Sequence, residues 1–241
     1  MSYKKALDKA KKMEPSQQET YASVVGEEVI GALRFEQATV SRQDRAIETR
    51  DRIIASALEL FAAKGYDGVS THEIAAKADV TQGLITYHFK SKEGLWKASM
   101  DTLFGTFRNE LAQRMYELRE INDPLFFKLV IRHYLRWAAQ HPFIVGFMVK
   151  EAHDPGPRLR WLIEGHIAPI YAAVTHIIKV GQREGYIREG STVTIYYQVI
   201  SSAMIFGLAD EIQMLEGIHV LAPEFIEEHA NSLINMLFIE G

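Results

Sequence analysis

The chain has 241 residues, 47% of them hydrophobic, which is enough to bury the core of one large domain or two small ones. It contains no cysteine, so disulfides, thiolate zinc sites, iron–sulfur clusters and cysteine nucleophiles are excluded. The first residues carry lysines but no apolar leader segment, and no later apolar run is long enough to span a bilayer. We therefore expect a cytoplasmic protein with no membrane partner.

The net charge of −4 is unevenly distributed along the chain. Residues 46 to 100 carry 7 Lys+Arg and 7 Asp+Glu, whereas residues 101 to 241 carry 12 and 17. The acidity thus lies in the last part of the chain, while the middle part is neutral. Charge by itself does not indicate a nucleic-acid partner, so any evidence for one has to come from sequence motifs.

Residues 1 to 45 form an N-terminal extension. Tyr21, Val25, Val29 and Leu33 recur at helical spacing, which allows a short amphipathic helix. The lysines in the first residues allow a basic arm that reaches DNA, although we rank a mobile tail first for residues 1 to 15. A later start codon at Met13 is a further alternative.

Helical spacing dominates the rest of the chain, and the alternation of apolar and polar residues that is typical of half-buried strands is scarce. We therefore predict an all-α fold. A first helix covers residues 47 to 64, with an apolar stripe that includes Ile47 and Leu58, and it ends at Gly65. A capping box of Ser70 and Glu73 begins a second, short helix.

Two further N-caps follow. The second helix breaks at Asp79 and Val80, and Thr81 caps a third helix. Two short helices this close together are typical of a helix-turn-helix motif. Ser91 then caps a fourth helix that runs from Lys92 to about residue 118.

Turn residues divide the remainder into helices near 124 to 139, 142 to 152, 157 to 184, 192 to 215 and 223 to 239. This gives nine helices after residue 45. The long amphipathic helices are typical of a bundle that holds a cavity or a partner surface.

The run AIETRDRIIASALELFAAKGYDGVSTHEIAAKADVTQGLITYHFKSKEGLWKA, residues 46 to 98, closely resembles the DNA-binding domain of the TetR family of bacterial regulators. The ordered elements that carry the resemblance are Leu60-Phe61, Gly65-Tyr66, Ser70, Ile74-Ala75, Val80-Thr81, Tyr87-His88-Phe89 and Lys90 to Glu93. It implies a DNA-binding domain over 46–100 and a helical ligand-binding and dimerisation domain over 101–241, after the extension over 1–45. Members usually begin close to the first helix, so the extension departs from the family.

In a helix-turn-helix the second helix lies in the major groove, and its first residues meet the base edges. Gln82 would pair with adenine and Leu84 would touch a thymine methyl, while Gly83 would let the backbone approach. The alternative is that Gln82 is only a solvated helix residue. The full predicted DNA-binding set is Thr71, Thr81, Gln82, Gly83, Leu84, Thr86, Tyr87 and Lys92.

The resemblance implies phosphate contacts for Tyr87 and Lys92, and Thr71 would add a hydroxyl. Many members carry two successive tyrosines before the histidine, whereas this chain has Thr86 and Tyr87. The resemblance therefore implies no phosphate contact for Thr86, and the alternatives are that it reads a base or contributes little. We interpret His88 as a packed histidine in preference to a pH switch.

The resemblance also implies a pocket for a small-molecule effector, and we expect large, mostly apolar side chains to line it. The alternative for each of these residues is an ordinary place in the core. The candidates are Phe127, Tyr134, Trp137, Phe147, Met148, Trp161, His166, Tyr171 and Met204.

The last two long helices, within residues 192–239, would form a four-helix bundle with a second copy, as in the family. The small residues Ser201, Ser202, Ala203 and Gly207 would allow close approach, and Met204, Ile205, Leu233, Leu237 and Phe238 would supply apolar area. A homodimer matches a palindromic operator of double-stranded DNA.

An enzyme is the rival class. The sequence contains no H-E-x-x-H, P-loop, dinucleotide-binding or G-x-S-x-G motif, so we predict no catalytic residue, metal or cofactor. A DNA-binding regulator controlled by a protein partner, without a small-molecule ligand, is the alternative that the residues leave open. The expected function is that of a ligand-responsive repressor.

Overall fold

The computed structural model describes residues 27–34, 44–117 and 124–239. These residues are helical, with a single isolated β-bridge between Ile187 and Phe238 among them, and they confirm the predicted all-α fold. The helices are α1 Glu27–Leu33, α2 Asp44–Lys64, α3 Thr71–Lys77, α4 Gln82–Phe89, α5 Lys92–Glu117, α6 Pro124–Gln140, α7 Ile144–Ala152, α8 Pro157–Leu162, a π turn Ile163–Ile167, α9 Ala168–Arg183, α10 Thr192–Ser202, α11 Met204–Gly207, α12 Ala209–Glu216 and α13 Pro223–Leu237.

The described residues separate into two compact units. The helix-turn-helix unit comprises residues 44–107 and 146–166, and the bundle unit comprises 27–34, 108–117, 124–145 and 167–239. Residues 146–166 thus pack with residues 44–107, from which they are distant in the chain. The three-part division of the sequence stays a prediction.

The core of the helix-turn-helix unit is built on the inner face of α2. Ile53, Ala57 and Phe61 are fully buried, as their spacing predicts. Ile47, at the start of the predicted stripe, is 40% exposed, and Leu58 is only half-buried. The stripe therefore begins at Ile53, because residues 46–48, 51 and 52 of α2 are exposed.

Polar contacts of one tyrosine and two arginine side chains connect the helices of the bundle unit. Tyr134 of α6 donates its hydroxyl to the carbonyl of Ile200 at 2.8 Å, and Arg136 pairs with Glu227 of α13 at 2.7 Å. The buried guanidinium of Arg108 donates to the carbonyls of Ala32 and Leu33 at the end of α1. The two bonds of Arg108 satisfy carbonyls that the end of α1 leaves without intrahelical partners.

Helix α1 lies where helical spacing allows a helix in the extension. Ile30 and Leu33 are buried in the bundle unit, and Val29 is half-buried. Tyr21, Val25 and the lysines of the first residues lie outside the described residues. The extension therefore contributes a short packed segment to the bundle unit.

Two long helices predicted from the sequence are interrupted. The span 157 to 184 contains the π turn Ile163–Ile167, and the span 192 to 215 is broken at Ala203 and Leu208. Thr192–Gly207 and Ala209–Glu216 meet at a bend of 66°. Within residues 27–34, 44–117 and 124–239, no single helix is long and apolar enough to cross a membrane, and this bent pair alone meets the criteria of length and composition.

Candidate nucleic-acid interface

The start of α3 is fixed by the capping box that the sequence predicts. Ser70 Oγ accepts a hydrogen bond from the backbone N–H of Glu73 at 3.1 Å. The Glu73 carboxylate also pairs with the ammonium of Lys64 at the end of α2. The hydrogen bond from Lys64 is the main cause that lowers the pKa of Glu73, and the Ser70 backbone lowers it further. The box therefore joins α3 to α2 as well as closing its own first turn.

A tight turn separates α3 from α4. The Val80 N–H donates to the carbonyl of Ala75 at 3.0 Å, and Asp79 adopts the left-handed conformation with φ 52°. Aspartate tolerates this region better than most side chains. Thr81 then stands at the N-cap of α4 with extended backbone, but its hydroxyl makes no capping hydrogen bond. The predicted break and the predicted start of α4 are both where the structure has them.

Helix α4 is anchored by Ile85 and Phe89, which are 1% and 6% exposed. The opposite face is open to solvent, with Tyr87 70% exposed. Leu84 is half-buried, so only part of its side chain is available for a base contact. The exposed members of the predicted set on this helix are Thr81, Gln82, Gly83, Thr86 and Tyr87.

Gln82 is held in place by a residue of the preceding helix. Its Nε2 donates a hydrogen bond to Thr71 Oγ1 at 3.0 Å. An amide nitrogen carries two hydrogens, so this bond leaves one for a base while the amide oxygen is free to accept. A bidentate pair with adenine needs one donor and one acceptor, which this orientation retains. Thr71 and Gln82, predicted separately, form one polar unit.

Tyr87 stands beside cationic groups on the same surface. Lys90 Nζ lies 5.9 Å from the centre of the Tyr87 ring and donates to the Tyr87 carbonyl at 3.1 Å. His88 is half-buried behind them. Burial, Arg50 and Lys90, in that order, lower the pKa of His88, which keeps the ring neutral near pH 7. This agrees with a packed histidine.

Lys92 opens α5, whose first turn Ser91 caps as predicted. Ser91 Oγ accepts from the Gly94 N–H at 3.0 Å. Lys92 is half-buried, and its Nζ lies 4.3 Å from the centre of the Tyr66 ring. The lysine therefore reaches the surface at a helix N-terminus, a favourable place for a phosphate, while its stem runs along an aromatic ring.

Sequence reasoning missed three side chains at this surface. Lys90 adjoins Tyr87, Arg50 lies 5.5 Å from the Phe89 ring centre, and Arg158 lies 4.2 Å from the Tyr66 ring centre. Tyr66 belongs to the Gly65-Tyr66 pair that carries the resemblance, but nothing in the local pattern links it to Lys92. Arg158 is brought to the site only by the packing of residues 146–166.

The predicted pocket residues divide between the two units. Tyr134 is buried with its hydroxyl bonded to Ile200, Tyr171 is half-buried, and Met204 is 39% exposed on the surface of the chain. Phe127 and Trp137 are also buried in the bundle unit, whereas Phe147, Met148, Trp161 and His166 belong to the helix-turn-helix unit. Their role in binding a ligand stays a prediction.

His166 and Trp161 are neighbours in the helix-turn-helix unit. His166 is fully buried, with its Nε2 3.1 Å from a carboxylate oxygen of Asp101 and its ring centre 5.2 Å from that of Trp161. Trp161 also lines an open cleft of about 420 Å³ on this unit. The other residues that line the cleft are Lys97, Pro155, Gly156, Pro157, Arg160 and Glu164. In the part of the chain that the structure describes, no group of three or more His, Asp or Glu is arranged to hold a metal ion.

A sequence model described as bacterial regulatory proteins of the tetR family matches residues 53–98. The transcriptional repressor NicS of Pseudomonas putida is 24% identical over 167 residues, which cover 68% of this chain and 78% of NicS. IcaR of Staphylococcus aureus, a negative transcriptional regulator of the biofilm operon icaADBC, is 35% identical over 77 residues, which cover 32% of this chain and 41% of IcaR.

The fold is similar to that of solved regulators. The crystal structure of a bacterial regulatory protein in the tetR family from Rhodococcus RHA1 superposes with a TM-score of 0.61 at 21% identity, covering 80% of this chain and 98% of that one. These relatives are transcriptional regulators and not enzymes. The helix-turn-helix domain therefore matches the tetR family, as the resemblance implied, and the chain is a transcriptional regulator with a DNA-binding domain of this kind.

Proposed function

We propose that this regulator is a ligand-responsive repressor that binds a palindromic operator as a homodimer in the cytoplasm. The observation that carries the DNA-binding part is the exposed face of α4, on which Thr71 holds the amide of Gln82 at 3.0 Å. The names of NicS and IcaR, a repressor and a negative regulator, support repression as the sense of the response.

The dimer would form through residues 192–239. Val193, Tyr197, Met204 and Leu208 are each 39% to 56% exposed, and their spacing places them on one stripe of the interrupted helix α10–α11. Leu233, Leu237 and Phe238, expected to supply apolar area, are instead buried in the core of their own chain. Large exposed apolar stripes are typical of interaction surfaces. We therefore assign the contact to the stripe from Val193 to Leu208.

The effector would be a small, largely apolar molecule. Large buried aromatic side chains such as Phe127 and Trp137 are the type of residue that lines such pockets when they open. An effector can release DNA only if it binds the DNA-free arrangement of the dimer more tightly than the DNA-bound one. Control by a protein partner is the second candidate, and it predicts no binding of small apolar molecules.

Selection of bound fragments from bacterial genomic DNA would test the proposal most directly. The expected result is a short palindromic sequence whose half-sites lie about one helical turn apart or somewhat more, bound by two copies of the chain. Analytical ultracentrifugation of the protein with the selected fragment gives the stoichiometry. Recovery of no preferred sequence, or binding of a single copy, would refute the operator and the dimer respectively.

The variant Gln82→Ala is expected to lose preference at a single base position of each half-site. A good bidentate pair discriminates by about 1–3 kcal/mol, so the preference there falls roughly tenfold. The measurement is a binding profile in which each operator position is substituted in turn. Gln213→Ala, which removes an exposed glutamine of α12, is the matched control. A profile for Gln82→Ala that equals the parent's would contradict the assignment.

Removal of the Lys92 ammonium is expected to weaken binding to all DNA sequences alike, because phosphate contacts carry no sequence information. Lys92→Ala should also reduce the slope of log affinity against log salt concentration by about one. Titrations at several salt concentrations measure that slope. Lys179→Ala removes an exposed lysine of α9 as a charge-matched control. An unchanged slope would exclude a phosphate contact for Lys92.

A further inference from the structure

Two cations from distant parts of the sequence share one aromatic ring in the helix-turn-helix unit. Lys92 Nζ lies 4.3 Å and the Arg158 guanidinium carbon 4.2 Å from the centre of the Tyr66 ring. Both distances are well within the range in which the negative face of a ring attracts a cation. Tyr66 therefore links the first residue of α5 to the start of α8.

The ring itself is held on several sides. Tyr66 stacks on Phe61 with ring centres 5.9 Å apart and meets Trp96 edge to face at 6.3 Å. Phe61 and Trp96 are both fully buried, so they form a rigid floor for the ring. Although Tyr66 lies in the turn between α2 and α3, its ring is thus packed against core side chains.

Arg158 is fixed by carboxylates from three positions. Its Nη2 lies 2.9 Å from Asp154 and 3.9 Å from Asp67, and its Nε lies 3.6 Å from Glu151. Its side chain is only 20% exposed. A guanidinium held in this way is a fixed group against which the ring of Tyr66 rests.

We propose that Tyr66, braced by Arg158, is a positioning residue that holds Lys92 ready for the DNA backbone. The proposal rests on the proposed phosphate contact of Lys92. A free lysine loses most of its rotamer freedom when it binds a phosphate, and this loss of entropy opposes binding. Because the Tyr66 ring already restricts the Lys92 side chain in the absence of DNA, less conformational entropy is lost when Lys92 binds a phosphate.

A test uses the full-length protein and a DNA duplex of random sequence, because a phosphate contact is independent of sequence. Tyr66→Leu removes the ring and is expected to lower the affinity about threefold, the size of one partly exposed cation–π contact together with the added freedom of the lysine. Tyr66→Phe keeps the ring and should bind like the parent. In a Lys92→Ala background, Tyr66→Leu should have no further effect.

The outcomes separate the possible failures. If the parent binds no DNA at low salt, the proposed function fails. If the parent binds and Tyr66→Leu binds equally well, or lowers the affinity as much in the Lys92→Ala background, the positioning role is overturned. Tighter binding by Tyr66→Leu would show that the ring sequesters Lys92 from DNA, which also overturns it. Thermal unfolding of each variant shows whether a lost affinity reflects lost structure.

Discussion

Gly94→Ala is expected to lower the free energy of unfolding by about 2 kcal/mol or more. A Cβ at Gly94 would lie 2.2 Å from the backbone carbonyl oxygen of Phe89, far inside a van der Waals contact. Phe89 is buried at the end of α4, so its carbonyl has little room to retreat. Alanine is favoured over glycine in a helix by about 1 kcal/mol, which offsets only part of this clash. Denaturant unfolding of the full chain measures the difference.

The matched control for this prediction is Gly146→Ala, in α7 of the same unit. A Cβ at Gly146 meets no heavy atom within 4 Å, so alanine there should be neutral or stabilise by up to about 1 kcal/mol. Equal stabilities for the two variants would mean that α4 and α5 separate readily. Because Gly94 sets the approach of α5 to the end of α4, DNA affinity should also fall in Gly94→Ala.

Loss of Arg158 is expected to have an effect of similar size. Glu151 is only 4% exposed, and Arg158 is the cation that lies 3.6 Å from its buried oxygen. Removal of one partner of a buried pair leaves an uncompensated charge and costs about 3 kcal/mol. Arg158→Ala should therefore unfold at a much lower denaturant concentration than the parent. Arg160→Ala, an exposed arginine two residues along, is the control and should match the parent.

The deficit of Arg158→Ala should depend on pH. Burial already raises the pKa of Glu151, and Arg158 is the main group that opposes the rise, so the variant raises it further. A folded-state pKa above the unfolded value means that the contribution of Glu151 is most favourable below the unfolded pKa and is lost as pH rises through the folded pKa. The variant should thus lie closer to the parent near pH 4.5 than at pH 7.5. Adding Glu151→Gln should recover stability at pH 7.5, and a pH-independent deficit would contradict the role of Glu151.

Local sequence was sufficient to predict the helix-turn-helix motif. Ser70, Thr81 and Ser91 stand at helix starts because capping depends on residues within one turn, and Ile85 and Phe89 are buried as their spacing requires. The bond between Gln82 and Thr71 follows once both helices are placed, but no pattern predicts it. Local rules thus located the candidate DNA surface without giving its internal contacts.

Contacts between segments that are distant in the chain could not be predicted from the sequence. Arg158 reaches the Tyr66 ring only through the packing of residues 146–166. The exposure of Met204 and the burial of Leu237 depend on which side of each helix meets the core. Apolar periodicity reports one buried face and cannot distinguish a core from a partner surface. The break at Ala203 likewise has no glycine or proline beside it, and Gly207, which adjoins the break at Leu208, was interpreted as part of a small-residue face.

The π turn at Ile163–Ile167 is consistent with the insertion of one residue into an ancestral α-helix. A π turn takes one residue more than an α turn, so it is what a single codon inserted into a continuous helix produces. Relatives that lack it should align with a one-residue gap within 163–167, and deleting Gly165, whose Cβ position is open, should restore an uninterrupted α-helix.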